Sequence, residues 1–366
     1  MKLNKSQLYK TFNKKTVIIT GHTGFKGTWL TIWLLLLGAK VIGISKDIPT
    51  KISHFKKSQV KNKITDIRAN IKDINKVKKI IKNSNPDFVF HMAAQSLVRK
   101  SYINPIETWE SNLMGTINVL ESLKELKKRC IAIIITSDKC YKNNEWVWGY
   151  KESDELGGPD PYSASKGAAE IAIRSYYESF FKDSNISISS VRAGNVIGGG
   201  DWAEDRIVPD CMRAWSENKK LLVRNPNATR PWQHVLEPLS GYLTLATKLY
   251  KNNKLSGESF NFGPSFDNNY SVKSILDELG QYWPKNSWKI EKTQNKFHES
   301  SLLKLNCDKS LSYLDWSSTL EFEETIRLTS DWYKRFVSNE NVMKITKDQI
   351  IEYCKIATSK NLTWML

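Results

Sequence analysis

Between Val17 and Ile44 the chain passes from a short apolar run through a glycine turn into an apolar helix and then a second apolar run. Few folds accept that order. Val17-Ile18-Ile19-Thr20 is almost continuously hydrophobic, as a strand covered on both faces must be. Gly21-His22-Thr23-Gly24-Phe25-Lys26-Gly27 follows, with G-x-x-G-x-x-G spacing. The sequence predicts a helix from there to Leu37, a stop at Gly38 and a strand over Val41–Ile44. The whole is one βαβ unit of about 30 residues. Glycine permits the tight turn and lets backbone approach a pyrophosphate seated on the helix N-terminus. Gly21, His22, Thr23, Gly24, Phe25, Lys26 and Gly27 are therefore candidate dinucleotide contacts; a glycine turn without a ligand is the alternative.

The alternation continues. Phe88–Phe90, Ile131–Thr136 and Ile186–Val191 read as strands; Pro105–Leu126 and Pro161–Phe181 read as helices. Strands alternating with helices imply α/β architecture: a Rossmann-type, doubly wound parallel sheet with helices on both faces. After Gly194 the regular pattern stops. Gly198-Gly199-Gly200-Asp201 and Arg224-Asn225-Pro226-Asn227 are loop signals, and Val235–Tyr250 returns to a helical pattern. The expected organisation is a dinucleotide-binding domain over 14–193 with 235–263. A smaller, mostly C-terminal substrate domain takes 194–234 with 264–340, and 1–13 and 341–366 are peripheral.

At the end of the second strand an acid suits the ribose hydroxyls of NAD, and Arg suits the phosphate of NADP. The chain has Ser45-Lys46-Asp47 there, with Asp47 about twenty residues beyond Gly27. This favours NAD and leaves NADP open. Asp66 and Ile67 are candidates for the adenine end, or Asp66 is a turn acid in solvent. Ala93 and Ala94 are small enough to let a cofactor pass the backbone after the Phe88–Phe90 strand.

Chemistry is carried by Tyr162-Ser163-Ala164-Ser165-Lys166. Tyr162 and Lys166 share one helix face, a turn apart. An ammonium beside a phenol favours the phenolate, so the tyrosine pKa is expected to fall toward neutrality. Such a group takes a proton from an alcohol. Ser137-Asp138-Lys139 ends a strand at the edge where parallel α/β sheets bind ligands, and Ser137 can hydrogen-bond the same hydroxyl.

Composition removes other classes. The net charge of +17 suggests a polyanion partner, yet no zinc-finger or RNA-binding signature accompanies it. No nucleic-acid partner is expected. The five cysteines are scattered, without a C-x-x-C pair, which argues against a disulfide framework or structural zinc and for a reducing compartment. No metal is expected. Residues 1–15 lack an apolar signal core, and Trp29–Leu37 is too short to span a bilayer. A cytoplasmic protein without a membrane partner is the expectation.

The glycine turn, His91-Met92-Ala93-Ala94-Gln95, Asn112, Ser137, Tyr162/Lys166 and Arg192-Ala193-Gly194-Asn195 together resemble the extended short-chain dehydrogenase/reductase superfamily. Within it, Thr20–Trp29, His91–Arg99, Thr136–Tyr150, Arg192–Trp202 and Arg230–Pro238 resemble the CDP-glucose branch of the sugar-nucleotide 4,6-dehydratases. The resemblance runs over roughly residues 15–335. It implies a nucleotide-sugar substrate, bound NAD and a homo-oligomer, dimer or tetramer. It further implies that Tyr162, held by Lys166, takes the sugar O4 proton during oxidation at C4. Where the dTDP-glucose branch has an Asp-Glu pair, this chain has Asp138-Lys139. Asp138 is then the acid on the departing O6 hydroxyl. Lys139 is either the base at C5, which requires a neutral amine, or a cation stabilising the enolate. Asn195 would orient the sugar, Arg230 would clamp the diphosphate, and Arg206 would approach the nucleotide or form a surface ion pair. His22 contacts phosphate or nothing, His234 is structural, and Trp146 and Trp148 wall the sugar pocket or pack in the core. A C4 epimerase, or a dehydratase for another nucleotide-hexose, is the alternative.

Overall fold

The protein is described here as a computed structural model covering residues 3–265, 269–283, 286–291 and 302–365. Its centre is a seven-stranded, wholly parallel sheet. The strands are β1 (Thr16–Thr20), β2 (Lys40–Ser45), β3 (Thr65–Arg68), β4 (Phe88–His91), β5 (Cys130–Ile135), β6 (Ile186–Arg192) and β7 (Ser259–Asn261). Their spatial order is β7-β6-β5-β4-β1-β2-β3. The order reverses between β1 and β4, and doubly wound sheets bind ligands at the carboxyl ends beside such a reversal.

Side-chain alternation divides the interior in two. Ile131, Ile133 and Ile135 of β5 enter one core, and Cys130, Ala132 and Ile134 enter the other. β1 and β4 split likewise, with Val17, Ile19, Phe88 and Phe90 on one face and Ile18 and Val89 on the other. At about 1.5–3 kcal/mol per fully buried large aliphatic side chain, this strand set dominates the stability of the sheet.

The helices that place the site are α1 (Phe25–Leu36), α2 (Ile74–Ser84), α3 (Gly115–Leu123), α4 (Pro161–Tyr176) and α5 (Leu236–Lys251). α4 starts cleanly because Pro161 fills its first turn and Asp160 caps it, accepting from the Ser163 amide at 3.0 Å and its hydroxyl at 2.6 Å. The single helix expected over Pro105–Leu126 is instead a short helix, a π turn over Glu110–Met114 and then α3, ending at Leu123. The π turn carries Asn112, whose amide spans from the Gln95 backbone to Ser165 of α4.

Beyond β6 the chain forms short two-stranded ladders. Val196–Ile197 pairs with Gln233–His234, Leu221–Val223 with Trp288–Ile290, and Thr229–Arg230 with Tyr270–Ser271. α5 and β7 then return to the sheet. The termini, expected at the periphery, are buried instead. Leu8 and Phe12 enter the main core, and α7 (Val342–Ser359) packs against α1 with α6 (Phe322–Val337) behind it. Trp33 of α1 meets Tyr353 and Trp364 edge-on, with centroids 5.8 and 6.3 Å apart. Large aromatic surfaces explain the difference: a residue's polar neighbours in sequence do not reveal a distant ring that needs covering.

Candidate active site

The glycine turn lies at the reversal point. Gly21 has φ +78°, and a Cβ there would stand 2.8 Å from the Ala93 amide nitrogen, just past β4. A Cβ on Gly27 would stand 2.2 Å from the Gly21 carbonyl oxygen. Backbone thus packs against backbone, which only glycine allows. Gly24 caps α1 without any side-chain hydrogen bond, so the first amides of that helix remain directed at the cleft. This turn fits a dinucleotide pyrophosphate, with Ala93 and Ala94 beside its path.

His22 turns away from that path. Its ring is fully buried over Gly43, bonded to Asp66 Oδ1 at 2.9 Å and to Ser45 Oγ at 3.0 Å. Burial lowers its pKa against the opposing pull of Asp66. The other oxygen of Asp66, the residue expected at the adenine edge, accepts from Arg68 at 2.8 Å. Its carboxylate therefore fixes His22 and the turn, and Ile67 lies half-buried beside it in β3. A hollow of about 640 Å³ opens at the ends of β2 and β3, lined by Asp47, Phe55, Lys56, Lys61 and Arg68.

The chemical groups gather at the exits of β5 and β6. Ser137 donates to Asp138 Oδ1 at 2.9 Å and accepts from the Lys139 amide at 3.2 Å. Ser137 and Arg206 act to lower the pKa of the Tyr162 phenol, and Asp138 to raise it. Asp138 is buried against Gly194, where a Cβ would stand 1.8 Å from Oδ2. Lys139 is half-buried with no ion pair among the described residues.

The expected fall of the Tyr162 pKa does not occur in the protein alone. Burial pushes it up to about 12, and the Lys166 ammonium donates to the Ile135 carbonyl at 3.3 Å instead. Burial also lowers Lys166 to about 8. At Tyr162 desolvation outweighs the lowering effects of Ser137 and Arg206. Lys26, read only as part of the turn, reaches the same place. Burial lowers it to about 8, assisted by Arg206 and Lys166 and opposed by Asp138 and Asp201.

Arg206, expected to approach the nucleotide or to form an ion pair, forms an ion pair. It pairs with Asp201 at 2.7 Å, which raises its pKa, and it also faces Tyr162. Asn195 holds φ +50°, and its Nδ2 is buried without a partner among the described residues. An orphaned donor at a cleft is a place for a ligand oxygen. Arg230 donates to the Thr229 carbonyl at 2.7 Å from its short ladder. Gln233 bridges the carbonyls of Gly194 and Phe262, each at 3.0 Å. Beside Asp138 a cleft continues past Gly194, Pro231, Gln233 and Pro264 to Lys304. His234 is fully buried near Trp29. Trp146 stacks on Tyr150 at 5.2 Å, and Trp148 is 67% exposed, so neither is core. Sequence reasoning gave no role to Glu170, buried one turn beyond Lys166, or to the Asn112 bridge.

A parallel sheet with a glycine turn at its reversal point and a Ser/Tyr/Lys set at its carboxyl edge defines a short-chain dehydrogenase/reductase. Residues 18–329 match the family described as GDP-mannose 4,6 dehydratase. A CDP-glucose 4,6-dehydratase of Salmonella typhimurium is 43% identical over 350 residues, 94% of this chain and 97% of its own length. The chain belongs to this family of sugar-nucleotide dehydratases. The fold agrees with solved structures at low identity. An epimerase from Methanothermobacter thermautotrophicus superposes with TM-score 0.77 at 20% identity, covering 92% of this chain and 97% of its own. A Bacillus anthracis dTDP-glucose 4,6-dehydratase in complex with NAD gives 0.74 at 20% identity, covering 91% and 99%.

Proposed function

We propose that the protein converts CDP-D-glucose into CDP-4-keto-6-deoxy-D-glucose and water, with NAD as its resident cofactor. NAD supplies a hydride acceptor for C4 that later returns the same hydride to C6. Gly21, Gly24, Gly27 and the open amides of α1 hold the pyrophosphate; Ala93 and Ala94 border it, and Asp66 and Ile67 flank the adenosine end. Tyr162, steadied by Ser137 and Lys166, takes the O4 proton. With its phenol pushed up to about 12, ionisation requires cationic help, which Arg206 supplies in part. Asp138 protonates the departing O6 hydroxyl. Lys139 acts at C5, as base or as the cation opposite the enolate. Asn195 receives the sugar, and Arg206 and Arg230 receive the nucleotide diphosphate.

The observation that carries this reading is the convergence of Tyr162, Ser137 and Asp138 in one buried pocket at the sheet edge. An epimerase would need no acid placed beside the alcohol base. The choice of CDP-glucose rests on the Salmonella relative. The test is incubation with CDP-glucose, dTDP-glucose and GDP-mannose without added cofactor, following 4-keto-6-deoxy product and deuterium uptake at C5 from heavy water. Turnover of CDP-glucose is expected. Turnover confined to another nucleotide, or C4 inversion without water loss, would overturn it.

The same reading includes self-association. Ile103, Ile106 and Met114 are 72, 73 and 48% exposed on the helical stretch that packs beside α4, and Ile171 of α4 is 62% exposed. Apolar side chains gathered this way suit a second copy of the chain. No helix among the described residues is long and apolar enough to cross a membrane. The free cysteines suit the reducing cytoplasm.

A further inference from the structure

Tyr162, Lys166 and Glu170 lie on one stripe of α4, each a turn from the next. The first two belong to the proton transfer described above; Glu170 has no assigned part in it. It is 4% exposed and receives hydrogen bonds from Thr136 Oγ1, from Ser190 Oγ at 2.6 Å, and from Arg192 Nε and Nη2 at 3.0 and 2.9 Å. Thr136 immediately precedes Ser137. Arg192 leads into Gly194, against which Asp138 rests. One carboxylate therefore joins the helix of the base to both strand exits that carry the acid.

Stability alone gives little reason for a charged pair here, since buried ion pairs are often replaceable by packed apolar groups at no loss. The neighbours of Lys166 suggest another reason. Tyr162 and Glu170 face it from its own helix, and Lys26 from α1. His91 faces it from β4, Cys140 from the β5 exit beside Asp138, and Arg192 through Glu170 from β6. Glu170 and Cys140 favour its charged form, and burial keeps the Cys140 thiol protonated. That leaves Glu170 as the standing negative charge acting on Lys166.

We propose that Glu170 is a positioning residue for the chemistry at Tyr162: its buried carboxylate holds Lys166 as an ammonium beside the phenol and locks the β5 and β6 exits in register. The proposal rests on the assignment of Tyr162 and Lys166, and its first readout needs no turnover. Lys166 is followed by NMR titration in protein carrying ¹³C at lysine Cε, its signal assigned by loss in Lys166→Arg, with NAD present.

Burial already lowers Lys166 to about 8, and Glu170 opposes that fall. Glu170→Gln is expected to move the midpoint down by about one pH unit, a tenfold change in the proton equilibrium. Glu170→Asp, which keeps the charge, is expected to stay within about 0.3 unit of wild type. Should Glu170→Gln leave Arg192 uncompensated and fail to fold, the pair Glu170→Gln with Arg192→Gln is expected to show the same downward movement. In dehydratase assays the alkaline limb of kcat should move with the midpoint, while KM for the nucleotide sugar stays within about twofold. A midpoint that does not move in whichever of these proteins folds, or one that moves without the kcat limb, overturns the proposal. Substrate choice in the preceding assay is decided separately.

Discussion

Gly194 lacks a side chain where the Asp138 carboxylate needs the room. Gly194→Ala is expected to displace the acid by an ångström or more and to cost about 10²-fold in product formation, since misplacements of that size have such effects. Binding of NAD, measured by fluorescence, should survive. Tyr162→Phe removes the proton acceptor and should lower kcat by about 10³-fold with NAD still bound; retained activity would refute the assignment. Lys139→Met should leave reduction of NAD by CDP-glucose observable in the reduced nicotinamide's absorbance and stop water loss. Equal survival of both steps would remove Lys139 from the elimination. The spacing of Tyr162 and Lys166 was readable in the sequence because one helical turn fixes it. The direction of their pKa values was not, since it is set by burial in the folded core, against which the charges of Arg206 on Tyr162 and of Glu170 on Lys166 act only in part.

At the level of elements, α5 joins the two halves of the chain through Glu237. Its carboxylate, inside the Arg230–Pro238 stretch, accepts from the Thr319 and Leu320 amides at 2.9 and 2.7 Å and from the Tyr353 hydroxyl at 2.9 Å. Burial pushes its pKa up from 4.5 to about 7 against those bonds. The folded state therefore keeps a proton that the unfolded chain releases. Stability from this group is highest below about pH 4.5 and falls, by about 3 kcal/mol in all, as pH rises to about 7. Glu237→Gln lacks that fall. Its Tm relative to wild type should climb between about pH 5 and about pH 7 in thermal denaturation; a flat difference would refute the shift. The βαβ unit was legible because its strands are unbroken apolar runs. β3 and α2 were missed for the opposite reason. Thr65-Asp66-Ile67-Arg68 alternates charge on an exposed edge, and α2 is lysine-rich, with Val77 and Ile81 as its buried residues. The π turn at Asn112 was invisible too, because one inserted residue leaves helical periodicity nearly unchanged.

For the whole molecule, the exposed apolar face predicts a dimer. Ile103→Asp with Ile106→Asp should shift sedimentation from dimer to monomer while leaving far-ultraviolet circular dichroism unchanged; an unshifted mass would place the interface elsewhere. The two-sided core could be anticipated from alternating strands and helices. The burial of the termini could not, because Trp33, Tyr353 and Trp364 belong to segments that meet only in three dimensions.

That last contact has a bearing on how the enzyme is made. The glycine loop is translated early, whereas part of the cover over its helix comes from residues 342–359, far along the chain. Removal of that segment is therefore expected to loosen the helix behind the glycine loop and to weaken NAD binding in titration, with every reactive residue still present; unchanged affinity would refute this.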